Sequence, residues 1–371
     1  MKLATIVGTR PEIIRLSRVI ENADRHFEHI LIHTGQNYSH SLNQVFFDEM
    51  EIRKPDIFLE AVGGDLGESV GNIIALAYKA LKDLAPDACL VLGDTNSCLA
   101  TYAAKRLKIP IFHMEAGNRC FDVNVPEEVN RRLVDHLADI NLPYSQIARS
   151  YLLREGCPPE RIIVTGSPMF EVLKHYAPQI ESSDVVSRLG LQPGRFAIAS
   201  IHREENVDDC ETLTRIIKGL GALHEEFGLQ VILSTHPRTR ANLETFGIKV
   251  PQGVEALEPL GFFDYNKLQK SARICVSDSG TIFEEASILG FKAVSLRGTH
   301  ERPEAMECGI AVLVDPTRTS IVDAIRRELS DEAAQKRSLP VDYSAPDVSQ
   351  KVVTIIKSYT EYVNRYVWHK R

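Results

Sequence analysis

Short apolar runs alternate with longer helical patterns along almost the whole chain, and this alternation constrains the fold more than any other feature. The runs are rich in β-branched residues and do not alternate with polar positions, which is typical of strands buried on both faces. Strand–helix alternation of this kind predicts an α/β fold with parallel sheets. The predicted strands cover residues 3–8, 29–34, 88–92, 109–113, 140–142, 162–165, 196–201, 230–234, 254–257, 274–276, 293–296 and 311–313.

A length of 371 residues corresponds to about two domains. The boundary is predicted near residues 167–195, where several prolines and a polar, serine-containing stretch precede a new strand. We therefore predict an N-terminal Rossmann-like domain over 1–170 and a C-terminal one over 171–350. A last helix, within 351–371, is expected to pack back across the domains.

Composition excludes several classes of partner. The chain has 43 Lys and Arg against 50 Asp and Glu, a net charge of −7, whereas a protein that neutralises nucleic-acid phosphates is normally basic. No run approaches the roughly 18–20 apolar residues that span a bilayer, and the first run, 3–8, is too short for a signal peptide. The seven cysteines form no CxxC pair and are odd in number, so we expect neither a zinc ribbon nor a disulfide framework. These features together predict a cytoplasmic protein without membrane insertion.

The segment GTRPE at 8–12 lies between the first predicted strand and the first predicted helix. A glycine turn, the guanidinium of Arg10 and a helix N-terminus together suit a phosphate group. An ordinary strand–helix turn, with proline at N1 and an acid in the first helical turn, explains the same residues equally well. The segment is neither GxGxxG nor a Walker A loop, so neither NAD nor ATP is indicated.

The segment SDSGT at 277–281 has the equivalent position in the second half and leads into a predicted helix. The N–H groups at that helix start, with Ser279 and Gly280 in the turn, suit a diphosphate. The two acids that follow, Glu284 and Glu285, either complement the helix dipole or supply a carboxylate that binds two ribose hydroxyls. Taken alone, these acids are better explained by the dipole.

Three carboxylates are predicted at the same edge of the first sheet. Asp94 and Glu115 each follow a strand, and Glu127 stands at the start of a helix. Ion pairs with the arginines four residues later would explain Glu127 and Glu128 as features of a helix surface. Three carboxylates without compensating cations would repel an anionic ligand, however, so we expect that the chemistry requires them.

Two histidines, His202 and His236, follow the first two strands of the second half, each close to an arginine. A single histidine is more often structural, but two at equivalent positions favour contacts to a phosphate or a base. The one HxxxH spacing, His29 and His33, lies within a predicted strand, where side chains four residues apart are too distant to share a metal. No HxH spacing occurs, so no metal site is predicted.

Taken as a set, these segments resemble the UDP-N-acetylglucosamine 2-epimerase family, whose motifs occur here in the same order over nearly the whole chain. They are GTRPE at 8–12, GDTNS at 93–97, HMEAG at 113–117, PEEVNRR at 126–132, HREEN at 202–206, SDSGT at 277–281 and ERPEA at 301–305. The resemblance implies a GT-B fold, in which two Rossmann-like domains hold a nucleotide sugar in the cleft between them. It also implies a homodimer with no cofactor and no metal.

Within that family the chain is most similar to the branch that converts UDP-2-acetamido-2,6-dideoxy-L-talose to UDP-N-acetyl-L-fucosamine for capsule and O-antigen synthesis. The N-acetylglucosamine epimerases typically carry EAGLRT and DSGG, where this chain has Asn118 and Thr281, and commonly a lysine at the position of Arg15. The alternatives are the UDP-N-acetylglucosamine/UDP-N-acetylmannosamine epimerase itself or a hydrolysing relative. More remote alternatives are a GT-B glycosyltransferase and a non-catalytic nucleotide-sugar sensor.

The resemblance further implies a reaction and its residues. Loss of the C2 proton is coupled to departure of UDP from C1, and the resulting 2-acetamidoglycal is protonated from the opposite face as UDP adds back. The implied acid–base residues are Asp94, Glu115 and Glu127, and His202 stabilises the leaving phosphate. Contacts to substrate or UDP are implied for Arg10, Arg15, His236, Ser279, Gly280 and Glu285.

Overall fold

The strands that the structure describes form two six-stranded parallel sheets, one in each of two units. The computed structural model describes residues 1–35, 47–316, 320–330 and 338–370. Unit 1 contains Met1–Lys174 and Val341–Arg371, and unit 2 contains His175–Pro340. The α/β fold with parallel sheets predicted from the alternating runs is confirmed.

The sheet of unit 1 is buried on both faces, as the uninterrupted apolar runs require. Its strands are β1 (Lys2–Val7), β2 (Glu28–His33), β3 (Ile57–Phe58), β4 (Ala88–Leu92), β5 (Ile111–Met114) and β6 (Ile140–Leu142). They lie in the order β3-β2-β1-β4-β5-β6, with every neighbouring pair parallel. This is the strand order of doubly wound dinucleotide-binding sheets.

The helices of unit 1 begin at the signals that the sequence provides. Proline occupies the first turn of two of them, at Pro11 and Pro126, and Asp65 and Ser145 accept N–H groups at two other helix starts. The helices are α1 (Arg10–His26), α2 (Leu66–Leu84), α3 (Thr101–Arg106), α4 (Pro126–Leu137), α5 (Gln146–Arg154) and α6 (Met169–His175), with 3-10 turns at Asn96–Ala100, Pro159–Arg161 and Val341–Tyr343.

Unit 2 repeats the topology of unit 1. Its strands are β7 (Phe196–Ile201), β8 (Gln230–Thr235), β9 (Val254–Leu257), β10 (Ile274–Ser277), β11 (Ala293–Leu296) and β12 (Ala311–Val314). The order β12-β11-β10-β7-β8-β9 is the order of unit 1 seen from the other side, and all neighbouring pairs are parallel.

The helices of unit 2 surround an aliphatic core. The longest is preceded by Asp209, whose carboxylate accepts the Thr212 N–H at 2.7 Å, and is followed by Gly228, a glycine with φ +63° that stops the helix in a left-handed turn. The helices are α7 (Ala177–Ser182), α8 (Val185–Arg188), α9 (Glu204–Val207), α10 (Cys210–Phe227), α11 (Pro237–Thr245), α12 (Phe262–Ser271), α13 (Ile282–Leu289), α14 (Pro303–Glu307) and α15 (Ile321–Ser330).

The last helix, α16 (Val348–Tyr366), packs against α1 and belongs to unit 1. The amide of Asn22 on α1 donates to Gln350 at 3.3 Å, and the ammonium of Lys357 lies 5.6 Å from the centre of the Phe27 ring. The chain thus returns to unit 1 after it has completed unit 2.

The return to unit 1 begins earlier than the predicted domain limit of 350. Residues from Val341 onward lie in unit 1, because the Ser167 N–H donates to the carbonyl of Asp342 at 2.9 Å and Glu171 accepts the Ser349 N–H at 2.8 Å. These contacts join segments about half the chain apart, which composition does not reveal.

One local expectation differs from the structure. The predicted strand at 162–165 forms only an isolated bridge between Asn141 and Ile162. All seven cysteines are unpaired. In the described part of the chain, each helix falls short of the length or apolarity that a membrane crossing requires.

Candidate active site

Polar side chains gather at the carboxyl edge of the unit 1 sheet, beside the neighbouring strands β1 and β4. The order of the sheet reverses between these strands, because the chain continues to opposite sides from each of them. In open parallel sheets a ligand binds beyond the strand ends at such a reversal. Asp94 follows β4, and Arg10, half-buried, is the first residue of α1, where the helix N-terminus favours an anion.

The turn after β1 is held by the buried carboxylate of Glu12, in the first turn of α1. Its Oε2 accepts the backbone N–H groups of Gly8 and Thr9 at 2.5 and 2.9 Å. Its Oε1 accepts the hydroxyls of Thr95 and Ser97, which belong to the loop after β4. The loops that contain Arg10 and Asp94 are therefore joined through one side chain.

Glu115 directly follows β5 and has a φ of +66°, a left-handed conformation that costs a non-glycine residue about 1–3 kcal/mol. Its carboxylate is 7% exposed and forms an ion pair with Arg15 of α1. It also accepts the amide of Asn118 at 3.1 Å, and the hydroxyl of Tyr144 lies 3.5 Å away. Arg15, predicted as a substrate contact, thus lies against a predicted acid–base group.

Asp94 lies two residues beyond the end of β4 and is partly exposed. Its Oδ2 accepts Nε and Nη2 of Arg131 at 2.9 and 2.6 Å. The same guanidinium contacts the buried carboxylate of Glu128 at 3.0 Å, and the amide of Asn130 donates to the Asp94 carbonyl at 3.0 Å. Helix α4 therefore fixes both the side chain and the backbone of Asp94.

Glu127, the second residue of α4, is half-buried. Asn130 and Arg131, the two residues of α4 that contact Asp94, are three and four positions further on, so Glu127 lies one turn from them on the same face. Within the described part of the chain, no hydrogen bond or ion pair joins its carboxylate to another side chain. The structure thus brings Glu127 to the same edge as Asp94.

The expectation that these carboxylates lack compensating cations is wrong for two of them. Asp94 pairs with Arg131, and Glu115 pairs with Arg15. Helical spacing suggested a pair between Glu127 and Arg131, whereas the guanidinium leaves the helix surface to meet Asp94. Both observed pairs join residues far apart in the chain, so spacing along a helix could not indicate them.

A buried charge network supports the loops behind the carboxylates. Asp135 of α4 lies 2.9 Å from Nδ1 of His113 and 2.8 Å from Nη1 of Arg119, and it accepts the N–H of Gly117 at 3.1 Å. Nε2 of His113 contacts the carbonyl of Gly93 at 2.8 Å. Since Gly93 and Gly117 belong to the loops of the predicted acid–base residues, this network holds both loops in place.

Unit 2 has an equivalent edge at the reversal between β7 and β10, where His202 and Asp278 end the two strands. Nδ1 of His202 lies 3.0 Å from Oδ1 of the fully buried Asp278, which also accepts the N–H of Arg203 at 2.9 Å and the amide of Asn206 at 3.0 Å. Burial alone would raise the pKa of Asp278, but the charge of His202 and these hydrogen bonds lower that pKa to about 2. The ionised carboxylate orients the imidazole, and Nε2 remains on the opposite side of the ring to contact a ligand.

The loop after Asp278 leads into α13 and is shaped by close contacts. The hydroxyl of Ser279 lies 2.9 Å from that of Thr281 and accepts the Thr281 N–H at 3.3 Å. A Cβ on Gly280 would lie 2.5 Å from Oε1 of Glu301, which is itself paired with Arg297 at 2.7 Å. A larger residue here would displace the Glu301 carboxylate, and the backbone N–H groups that open α13 lie beside Gly280.

The two remaining predicted residues are also in unit 2. His236 precedes α11, is exposed, and its ring centre lies 6.4 Å from that of His202. Glu285, in the first turn of α13, is nearly buried and accepts the amide of Gln269 at 2.7 Å. The structure therefore brings His236 close to His202 and places Glu285 against α12.

Glu12, Asp278 and Asp135 were not predicted as functional residues. The signal for Asp278 was its position directly after a strand, and the signal for Glu12 was a capping-box spacing from Thr9. Asp135 is an acid on the buried face of an amphipathic helix, which has no local signal. In residues 1–35, 47–316, 320–330 and 338–370, no group of three metal-ligating side chains lies together.

Comparison with known proteins gives consistent similarities. The profile described as UDP-N-acetylglucosamine 2-epimerase matches residues 20–357. The structure is similar to that of UDP-N-acetylglucosamine 2-epimerase from Rickettsia bellii, with a TM-score of 0.91, 44% identity and 100% of both chains covered. It is also similar to the Methanocaldococcus jannaschii UDP-GlcNAc 2-epimerase in complex with UDP-GlcNAc and UDP, with a TM-score of 0.90, 33% identity and 96% and 100% of the two chains covered.

A further relative differs in its named substrate. The UDP-2,3-diacetamido-2,3-dideoxy-D-glucuronate 2-epimerase of Pseudomonas aeruginosa is 34% identical over 337 residues, which are 89% of this chain and 92% of the relative. The match of both sheets to the solved epimerase structures confirms the predicted GT-B fold class.

Proposed function

Because this chain belongs to the UDP-N-acetylglucosamine 2-epimerase family and is an isomerase of UDP-sugars, we propose that it inverts C2 of a UDP-2-acetamido sugar without hydrolysing it. The observation that supports this most directly is the grouping of Asp94, Glu115 and Glu127 at the carboxyl edge of one sheet. The equivalent edge of the other sheet presents His202 and the Ser279–Thr281 loop, which suit a diphosphate.

Elimination explains why carboxylates and phosphate-binding groups are both needed. The C2 hydrogen of a 2-acetamido sugar is barely acidic, because its carbon has no carbonyl neighbour. Removal of that proton is feasible when the C1–O bond breaks at the same time, which forms a C1–C2 double bond and releases UDP. Return of UDP to C1 with protonation of C2 from the opposite face gives the epimer, so a base and an acid are required on the two faces.

Within this proposal Asp94, Glu115 and Glu127 supply the base and the acid. Asp94 pairs with the guanidinium of Arg131, and Glu115 pairs with that of Arg15. Glu127 has no cation partner in the described part of the chain and is placed to exchange a proton. In this proposal Arg15 holds the Glu115 carboxylate in addition to contacting the sugar.

The departing diphosphate gains negative charge and requires positive charge or dipoles. We assign this role to Arg10 and His202, with the hydroxyl of Ser279 and the backbone beside Gly280. Asp278 holds the imidazole of His202 in place, because its carboxylate lies 3.0 Å from Nδ1. Glu285 is assigned to the ribose hydroxyls, and His236, beside His202, to the nucleotide.

The proposed substrate is UDP-2-acetamido-2,6-dideoxy-L-talose, and the proposed product is UDP-N-acetyl-L-fucosamine, used in capsule and O-antigen synthesis. Three residues that depart from the N-acetylglucosamine pattern support it: Arg15, Asn118 and Thr281. Two of them, Arg15 and Asn118, contact the carboxylate of Glu115, so both substitutions change the surroundings of the same side chain. A changed environment for one acid–base group is what a different ring configuration would require.

The second candidate is UDP-N-acetylglucosamine/UDP-N-acetylmannosamine epimerisation, which the names of most relatives favour. Incubation with each UDP-sugar, followed by proton NMR, separates the two. We expect inversion of the 6-deoxy sugar to be faster, with UDP-linked product. Faster turnover of UDP-N-acetylglucosamine would show that the second candidate is the activity of this chain. Release of free sugar would identify a hydrolysing enzyme, and release of UDP that depends on an acceptor would identify a glycosyltransferase.

A homodimer is the proposed assembly, as the family resemblance implies. Val129 and Leu133, four residues apart on α4, are about half exposed, and Phe121 and Val123 are more exposed still. An interface between two copies of the chain would remove exposed apolar side chains such as these from water. Light scattering coupled to gel filtration should give twice 41.5 kDa, and a mass of one chain would contradict the proposal.

A further inference from the structure

Glu12 is an almost completely buried carboxylate, 2% exposed, that accepts hydrogen bonds from four donors. The backbone N–H groups of Gly8 and Thr9 donate to Oε2, and the hydroxyls of Thr95 and Ser97 donate to Oε1, the latter at 2.6 Å. The donors stand in two loops that are more than 80 residues apart in the chain. One side chain therefore joins the end of β1 to the end of β4.

Helix capping explains only half of this arrangement. The bonds from Gly8 and Thr9 to Oε2 satisfy N–H groups at the start of α1, as the acid of a capping box does. The bonds to Oε1 satisfy no helix terminus of α1, because both hydroxyls belong to the other loop. Oε1 therefore has a role separate from capping: it holds Thr95 and Ser97, and with them the residues next to them in the loop.

The residues whose positions depend on these hydrogen bonds are the neighbours of the donors in the chain. Thr9 precedes Arg10, and Thr95 follows Asp94. The two loops approach closely, since a Cβ on Gly8 would collide with the Thr34 hydroxyl and lie 2.7 Å from Cβ of Ser97. Without a fixed spacing between these loops, a phosphate held at one would be misplaced relative to a carboxylate at the other.

We propose that Glu12 is a positioning residue, whose two carboxylate oxygens set the distance between the Arg10 turn and the Asp94 loop in the epimerase reaction. This inference rests on the roles of Arg10 and Asp94 in the proposed function. Misplacement of a reacting group by about 1 Å can cost about 10²-fold in rate, so a single buried link of this kind controls turnover.

The sharpest test removes the link and keeps the helix cap. In the double variant Thr95→Val/Ser97→Ala, Oε2 of Glu12 keeps its bonds to Gly8 and Thr9, and Oε1 loses both hydroxyls. We expect kcat to fall by about 10- to 10²-fold, with the Kd for UDP within about threefold of wild type. Hydrogen exchange of the peptide that contains residues 93–97 should become faster.

The matched control is Thr101→Val, which removes a buried hydroxyl from the same segment. That hydroxyl donates to the carbonyl of Cys98 at 2.7 Å and does not contact Glu12. We expect its kcat to stay within about twofold of wild type. If the double variant fails to fold, Thr95→Val alone gives the same comparison with a smaller loss.

A conservative substitution of Glu12 distinguishes a positioning role from a requirement for its negative charge. In Glu12→Gln the amide oxygen can still accept the two N–H groups, and the NH2 can donate to the hydroxyls of Thr95 and Ser97, which also accept. Glu12→Gln should therefore keep kcat within about threefold of wild type, whereas Glu12→Ala should lose at least as much as the double variant.

Two outcomes would overturn the inference: a double variant with kcat within twofold of wild type, or unchanged hydrogen exchange at 93–97. A wild-type chain that turns over no UDP-2-acetamido sugar would contradict the proposed function instead. In that case the exchange measurement still decides whether Glu12 joins the loops.

Discussion

Individual side chains at the two sheet edges are fixed by buried partners before any ligand is considered. Glu115 has a left-handed backbone conformation, and its buried carboxylate is held by Arg15 and Asn118. Strained, buried and charged residues of this kind cluster at functional sites, since their cost is maintained only where the surroundings determine them fully.

Replacement of each proposed acid–base group by its amide should abolish most activity. Asp94→Asn, Glu115→Gln and Glu127→Gln should each lower kcat by at least about 10²-fold, because an amide cannot transfer the proton at neutral pH. Initial rates from proton NMR measure the effect. The exposed Glu160→Gln serves as a control, and near-native turnover would remove a residue from the set.

Asp278 contributes to stability as well as to the orientation of His202. Its pKa of about 2 is below the ordinary value of 3.8, so the ionised form stabilises the fold above pH 3.8, and this stabilisation is lost as the pH falls through about 2. Asp278→Asn should therefore lower the free energy of unfolding at pH 7 by about 2 kcal/mol. Urea unfolding measures the change, with exposed Glu225→Gln as control, and an unchanged midpoint would contradict it.

The contribution of Glu12 to stability depends on pH in the opposite sense to that of Asp278. Burial raises the pKa of Glu12 above its ordinary value of 4.5, and the four hydrogen bonds that lower it do not compensate. The charged form therefore costs stability above the raised pKa, and the cost disappears below 4.5. Thermal unfolding at pH 8 should show Glu12→Gln to be at least as stable as wild type, with the difference shrinking toward pH 4.5; a less stable variant at pH 8 would contradict this.

At the scale of elements, α16 is attached by an apolar stripe. Val352, Val353, Ile356 and Val363 are buried against the rest of unit 1. Ile356→Ala should lower the free energy of unfolding by about 3 kcal/mol through lost burial and a cavity. Exposed Thr354→Ala should change it little, and neither variant should change the Kd for UDP. An unaffected unfolding midpoint for Ile356→Ala would mean that α16 does not stabilise unit 1.

Much of the element pattern could be predicted from the sequence, because parallel strands buried on both faces leave uninterrupted apolar runs. Strands such as Ala88–Leu92, Phe196–Ile201 and Val254–Leu257 were predicted with their exact bounds. The two-residue strand Ile57–Phe58 was missed, because such a short run has no periodicity of its own. The segment 162–165 was predicted as a strand because its run is apolar and β-branched, but it adds only one bridge at the sheet edge.

The candidate site was predictable in position but not in its pairings. Polar residues after apolar strands indicated the carboxyl edge, where Asp94, Glu115 and His202 are found. The partners Arg131, Arg15 and Asp278 could not be assigned, since tertiary packing alone decides which helix or strand faces each loop. The roles of these residues and the cytoplasmic location stay predictions.

For the molecule as a whole, the repeated strand order gives two equivalent edges with different chemistry. Unit 1 presents carboxylates with their supporting arginines, and unit 2 presents a histidine with a buried aspartate and a glycine loop. A reaction that removes a proton from carbon while a diphosphate departs uses both kinds of group. The proposed elimination and re-addition is therefore the function that accounts for both edges.

The most direct test of this account is the position of the solvent hydrogen in the product. The enzyme is incubated in heavy water with UDP-2-acetamido-2,6-dideoxy-L-talose, and in parallel with UDP-N-acetylglucosamine, and the epimer is isolated. Proton NMR and mass spectrometry should show deuterium at C2 of the inverted sugar, because C2 is reprotonated from a group that exchanges with solvent. An inverted product that retains its original hydrogen at C2 would contradict the account.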